Sequence, residues 1–401
     1  MIVGMKEIRS LIISPEPPLP AYSGARSRLI FTLRALRELG PVTLAAPYRT
    51  HDEREKMTGL AKELGLTVIT ILAPNLRSIA HRFSYKVGQL ARVLGGVTAE
   101  EHYTFFPELH QKIKAWVGEN PPDFVLVHYW YAAQYAAELP GKAALDAIDV
   151  AFRLLEQRRL LPQAALARAR EAAALKQFPL IFSINSNESS ELTKLSGGAR
   201  VELVPLAFDA DAELRPMDQI DCGSVRFLGA LDYSSNADGV IWFVREVFPR
   251  ILMEYPSVLF LVGGKGATQQ MRSVCRRPGV ELVGTVDDVR RFWREAHVAV
   301  SPLRFGTGMK LKAIEAMGCG AALVATPHGV DGVEGEVGRH FLLAEDAAGL
   351  ASAVVRVLKH EELRESLSIA GWQLVKEKYG EEKLRRRFGE IVRDYMKGST
   401  D

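Results

Sequence analysis

The chain has 401 residues, 47% of them hydrophobic and 25% charged, which is the composition of a globular protein long enough for two domains of ordinary size. A net charge of +3 is too small to argue for nucleic acid as a partner. No apolar stretch approaches the ~20 residues of a membrane span, and Leu11–Ile13 is too short for the apolar core of a signal peptide. The three cysteines, Cys222, Cys275 and Cys319, stand apart without C-x-x-C spacing or histidine partners. The expectation is therefore a soluble cytoplasmic protein in a reduced compartment, with no metal site.

In the first half, β-branched and apolar runs predict strands over Ile8–Ile13, Val42–Ala46, Thr67–Ile71, Phe124–His128, Leu180–Ser183 and Val201–Val204. Ser14–Arg28 (SPEPPLPAYSGARSR) is a Pro-rich connection between the first strand and a helix. Such connections commonly just stiffen a loop. Arg77–Leu94 sets Arg77, His81, Arg82, Lys86 and Arg92 among apolar residues at helical spacing. A basic amphipathic segment of this kind suits anionic lipid headgroups at the inner face of a membrane. The plainer reading, preferred here, is a surface helix packed on the sheet. In Asp123–Tyr131 (DFVLVHYWY), His128 ends the apolar run. An imidazole at the carboxyl end of a strand can hydrogen-bond a ligand. The alternative is a core histidine bonded to a backbone group.

The division between halves falls near Pro205–Pro216, after which a fresh strand–loop–helix unit begins at Val225. Predicted strands follow over Val225–Leu228, Val258–Val262, Val280–Val283, Val298–Ser301, Ala322–Ala325 and His340–Leu343. Asp238–Tyr255 is the clearest helix, with Val240, Phe243, Val244, Val247, Phe248, Ile251 and Leu252 on one stripe. Val262–Gly266 (VGGKG) looks like a dinucleotide turn but lacks the third glycine and an acidic partner, so a dehydrogenase is disfavoured. Alternation of strand and helix implies parallel sheets covered on both faces. The fold reads as α/β, two Rossmann-like lobes facing each other across a cleft. The expected limits are 1–210, 211–375, and a last helix, 376–401, that crosses back to the first lobe.

Pro302–Leu323 (PLRFGTGMKLKAIEAMGCGAAL) is the most informative stretch. Gly306, Thr307 and Gly308 give a turn whose backbone N–H groups approach an anion without Cβ interference. The helix after it offers free N–H groups and a positive dipole end. Lys312 and Glu315 lie three apart on one face, a cation suited to phosphate and a carboxylate suited to ribose hydroxyls. The bland reading is a simple turn and a solvated surface pair.

Glu315–Val324 (EAMGCGAALV) and the glycine turn before it resemble the nucleotide-sugar signature of retaining GT-B glycosyltransferases, family 4 in particular. The resemblance implies transfer of a sugar from a nucleotide-diphosphate sugar to an acceptor hydroxyl, with retention. The acceptor would be a glycan, a lipid-linked saccharide or a small molecule, and no cofactor beyond the sugar nucleotide is implied. Gly24 matches the first glycine of a loop that touches diphosphate or acceptor, Ala25 replacing the second. Gly229 opens the corresponding loop of the second lobe, and His128 matches the D-V-V-H-x-H segment. Val283 and Val286, in VGTVDDV, sit where backbone atoms cradle the nucleobase. Two departures stand out. Ala230 and Ser235 occupy the places of a basic pair, leaving Arg304, Lys310 and Lys312 as substitute cations. Thr307 replaces the first of two glutamates, so only Glu315 remains. Alternatives are a non-catalytic sugar-nucleotide-binding protein and a sugar-nucleotide epimerase of the same architecture. Catalytic weight falls on His128 and Glu315. Donor contacts fall on Gly24, Gly229, Val283, Val286, Arg304, Gly306, Thr307, Gly308, Lys310, Lys312 and Glu315.

Overall fold

Short apolar runs between polar loops pair side by side in the computed structural model, which describes residues 6–20, 23–73, 96, 98–214 and 220–398. The basic segment 77–94 and Pro216 lie outside the described residues. The chain divides into two compact units, Met1–Pro205 with Glu382–Asp401, and Leu206–Glu381.

Among the described residues of the first unit, seven strands form one parallel sheet. They are β1 (Ser10–Ile13), β2 (Val42–Tyr48), β3 (Thr67–Leu72), β4 (Phe124–His128), β5 (Lys142–Asp146), β6 (Leu180–Ser183) and β7 (Arg200–Leu203), in the order β3-β2-β1-β4-β5-β6-β7. Every residue of β1, β4 and β6 is buried, because helices cover both faces of a parallel sheet. The order reverses between β1 and β4, which pair through Ile13 and Val127. That reversal opens a crevice at their carboxyl ends, and the helix α1 (Gly24–Arg37) follows β1 there. Strand β5 was not expected. Its sequence KAALD has no β-branched residue, and pairing with β4 and β6 on either side holds it extended. Helices α2 (Ala151–Gln157) and α3 (Leu161–Leu175) follow β5.

In the second unit, six described strands repeat the plan. They are β8 (Asp221–Leu228), β9 (Leu259–Gly263), β10 (Val280–Gly284), β11 (Ala296–Ser301), β12 (Leu323–Ala325) and β13 (Leu342–Leu343), all parallel, in the order β10-β9-β8-β11-β12-β13. The reversal now falls between β8 and β11. The long stripe expected over 238–255 is broken in three: α4 (Ser234–Trp242), a π turn at Phe243–Val247, and a short helix Phe248–Glu254. Phe248 N–H bonds back to Phe243 O. Pro249 has no N–H and its ring would meet the carbonyl of residue 245, so the wider turn absorbs the fault. The stripe still faces inward, with Val240, Phe243, Val244, Val247, Phe248 and Ile251 all buried.

Helix α5 (Leu311–Gly318) follows β11. The last helix, α6 (Glu381–Lys397), buries Leu384, Phe388, Ile391 and Val392. From Glu382 on it belongs to the first unit. Phe388 stacks on Phe182 with ring centroids 4.3 Å apart, and Lys142 Nζ donates to the Tyr395 and Met396 carbonyls at 2.8 Å. The residues before it, Glu361–Lys378, form a separate helix of the second unit.

Candidate functional site

At the reversal of the second sheet, the loop after β8 meets the start of α5. Gly229 permits this approach, since a Cβ there would stand 2.9 Å from Asn236 Nδ2 and 3.3 Å from Lys312 Cε. Asn236 is buried in the first turn of α4. Its Nδ2 donates to Ala230 O at 2.9 Å, and its Oδ1 accepts from Lys312 Nζ at 2.9 Å. The ammonium also stands 5.7 Å above the Phe227 ring. A neutral amide and an aromatic face leave the cation poorly compensated. Burial, with the charge of Lys310 added, pushes the Lys312 pKa down to about 7, against the pull of Glu315. Glu315, one turn on, is shifted up by burial, while Lys312, the Trp293 indole and Arg290 hold it back.

The turn after β11 is built on positive φ at Gly306 (126°) and Gly308 (73°), where a Cβ would be strained. Lys310, expected to hold phosphate, is engaged with the carbonyls of the turn itself. Its Nζ donates to Gly308 O at 2.6 Å, Thr307 O at 2.9 Å and Gly306 O at 3.5 Å. An ammonium has three donors, and Lys310 spends them on pinning the turn. Arg304 is also occupied. It makes a two-pronged pair with Asp238 at 2.8 and 2.6 Å, with its guanidinium 5.7 Å from the Trp242 ring. Thr307 Oγ1 is buried without a hydrogen-bond partner among the described residues, which is a polar atom in want of one.

Beside this lies a cavity of about 160 Å³ lined by Leu231, Gly264, Lys265, Gly266, Arg272 and Thr285. Three backbone bonds tie its walls: Gly229 N to Gly263 O, Leu231 N to Lys265 O, and Gly264 N to Gly284 O. Val283 borders it in sequence and is 43% exposed. Val286 packs so closely on β9 that a Cβ on Gly263 would come within 2.8 Å of it. Lys265 is partly buried in the cavity wall.

The remaining two candidates lie in the first unit. Gly24 opens α1 behind the cap Ser23, whose side chain accepts from Arg26 N at 3.3 Å. His128 ends β4 but is fully buried. Its Nε2 lies 2.9 Å from Thr32 Oγ1, and that hydroxyl donates to Leu29 O. The Nε2 nitrogen therefore carries the proton. Burial lowers the His128 pKa to about 4, Asp146 opposing and Arg28 assisting. Arg28, also buried, grips Asp146 with Nε at 2.9 Å and bonds the Val204 carbonyl. The arrangement is that of a core histidine rather than a group presented to a ligand. Sequence reasoning passed over the Arg28–Asp146 pair and Asn236. The one usable signal was Asn236 closing the loop GALDYSSN after a predicted strand. Among the described residues, no group of three or more His, Cys, Asp or Glu is placed to hold a metal ion.

The family model described as glycosyl transferases group 1 matches residues 223–360, the stretch that contains the site just described. The two parallel α/β sheets of the chain are those of the GT-B fold. Sucrose-phosphate synthase from Thermosynechococcus elongatus superposes with a TM-score of 0.75 at 16% identity, covering 98% of this chain and 100% of that one. Anabaena HepE in complex with UDP-glucose gives 0.68 at 14% identity, covering 97% and 100%. At these identities the structures speak for the fold. Among curated proteins, phosphatidyl-myo-inositol mannosyltransferase of Mycolicibacterium smegmatis is 26% identical over 65% of this chain and 68% of its own length. The match to the uncharacterized 44.6 kDa protein in the cps region of Klebsiella pneumoniae is 22% identical over 40% of this chain and spans 44% of that protein's length.

Proposed function

We propose that the chain is a glycosyltransferase that takes a sugar from a nucleotide-diphosphate sugar, with retention, and delivers it to the hydroxyl of a glycan, a lipid-linked saccharide or a small molecule. The carrying observation is Lys312, a cation with a neutral hydrogen-bond partner at the carboxyl ends of β8 and β11. A diphosphate supplies the charge that this ammonium lacks. When the bond from the anomeric carbon to the diphosphate oxygen breaks, negative charge grows on the leaving group. Lys312 would meet that charge. Glu315 accepts from ribose hydroxyls, and the Thr307 hydroxyl finds its missing partner on the ligand. The cavity beside Val283 and Val286 is of a size for part of a nucleobase. Gly24 offers backbone to diphosphate or acceptor, while His128 ties β4 to α1. A hexose is the transferred group on analogy with the mannosyltransferase relatives, and the Klebsiella relative's place in a cps region supports a role in polysaccharide assembly.

Calorimetric titration with uridine, guanosine and adenosine diphosphates tests the donor site. Lys312→Met and Glu315→Gln should each weaken the preferred nucleotide by at least about tenfold, one lost charge-assisted contact being worth ~1.5–3 kcal/mol. Unchanged affinity in both would overturn the proposal. A second reading, binding without transfer, is favoured by Thr307 and Ala230 standing where a glutamate and a cation are expected. Release of nucleoside diphosphate from a sugar nucleotide separates the two, since a pure binder yields none.

A further inference from the structure

We propose that the turn joining α2 to α3 in the first unit is a contact tip for an anionic lipid surface. Leu160 and Leu161 are 39% and 64% exposed there. Arg158 and Arg159 precede them and are both exposed. The turn is held by backbone bonds from Arg158 N to Leu154 O, Arg159 N to Glu156 O and Leu160 N to Leu155 O. Arg159 takes a φ of 58° within it, and Pro162 stands in the first turn of α3. The leucines are thus presented by an ordered turn.

The surrounding charge is a positive surplus. Arg153 and Arg168 share one carboxylate, Glu191, at 2.8 and 3.4 Å, and Arg153 also reaches Glu156 at 3.9 Å. No ion pair involves Arg158 or Arg159 among the described residues. Two leucine side chains offer far less than the ~800 Å² per partner of a stable protein interface. A bilayer makes no such demand. Leucines enter the boundary of the acyl chains while arginines lie along it and reach the phosphates. This tip is separate in sequence from the basic segment 77–94.

Co-sedimentation of the full chain with vesicles tests the proposal and needs no sugar nucleotide, so its failure and that of sugar transfer are distinct. The protein should bind vesicles of equal phosphatidylcholine and phosphatidylglycerol, bind phosphatidylcholine alone much less, and release in high salt. Each arginine near an anionic surface contributes about fivefold in affinity, so Arg158→Glu with Arg159→Glu should weaken binding by more than about 20-fold. Leu160→Ser with Leu161→Ser should weaken it by about tenfold, and Arg158→Glu alone covers the case in which a double variant fails to fold. Failure of the unaltered protein to bind anionic vesicles would overturn the proposal. So would tip variants that bind as it does. A leucine variant that instead changes the oligomeric mass would assign the turn to a second copy of the chain.

Discussion

Lys312 is held near the edge of its charged form, so under the proposed function nucleotide binding should depend on pH. With its pKa at about 7 in the folded chain, against an ordinary value near 10.4, the unfolded chain binds more protons between those values. The ligand-free protein therefore gains stability as pH rises across that window, a slope that Lys312→Met should remove. A bound diphosphate favours the charged lysine, so binding at pH 8 should take up close to one proton. Titrations in buffers of different ionisation enthalpy would show this, and Lys312→Met should show no uptake. Asn236→Asp sets a carboxylate against the same ammonium, which raises its pKa. That variant should lose the proton uptake and bind the nucleotide about tenfold more weakly. His128 behaves oppositely in use but alike in sign. Its folded pKa of about 4 lies below the ordinary 6.5, so the unfolded chain binds the extra proton between these values. Stability falls as pH drops from 6.5 to 4, by up to about 3 kcal/mol. His128→Gln should flatten that part of a pH series of denaturant melts.

The site depends on how closely loops approach one another, and glycines set that distance. A Cβ on Gly264, which already has φ of 139°, would overlap the Gly229 carbonyl. Gly264→Ala should part the loops after β8 and β9, with a loss of stability of about 2–4 kcal/mol and of nucleotide affinity together. Thermal unfolding and calorimetry on the same variant would record both. In the first unit the equivalent element is polar. Arg28 from α1 meets Asp146 from the end of β5, both fully buried. Asp146→Ala strands a buried guanidinium, and stability should fall by about 3–5 kcal/mol. Denaturant unfolding that shows less than 1 kcal/mol of change would mean that water reaches the arginine.

At the scale of the molecule, each unit has its own sheet, its own reversal of strand order and its own core. The donor candidates other than Gly24 all lie in Leu206–Glu381. A nucleotide bound there stabilises by about 2.7 kcal/mol at a hundredfold excess over Kd. Hydrogen exchange with the preferred nucleoside diphosphate present should slow first around residues 229–236 and 302–315. Equal protection throughout both units would argue for a different binding place.

Most strands were legible because a parallel strand buried on both faces must be a short apolar run, and such runs stand out from the polar loops around them. The glycine turn and the Lys312–Glu315 face were legible for a similar reason, since local spacing alone places them. Strand β5 escaped because its extension is imposed by neighbours far away in sequence, and KAALD carries no local preference for it. The fates of the cations escaped for the same reason. Lys310, Arg304 and Lys312 look alike in a sequence, but loop carbonyls occupy the first, Asp238 the second, and an amide 76 residues distant holds the third. Which of them keeps its charge for a ligand is decided by distance in space, where desolvation and hydrogen bonding act, and chain order carries no record of that distance.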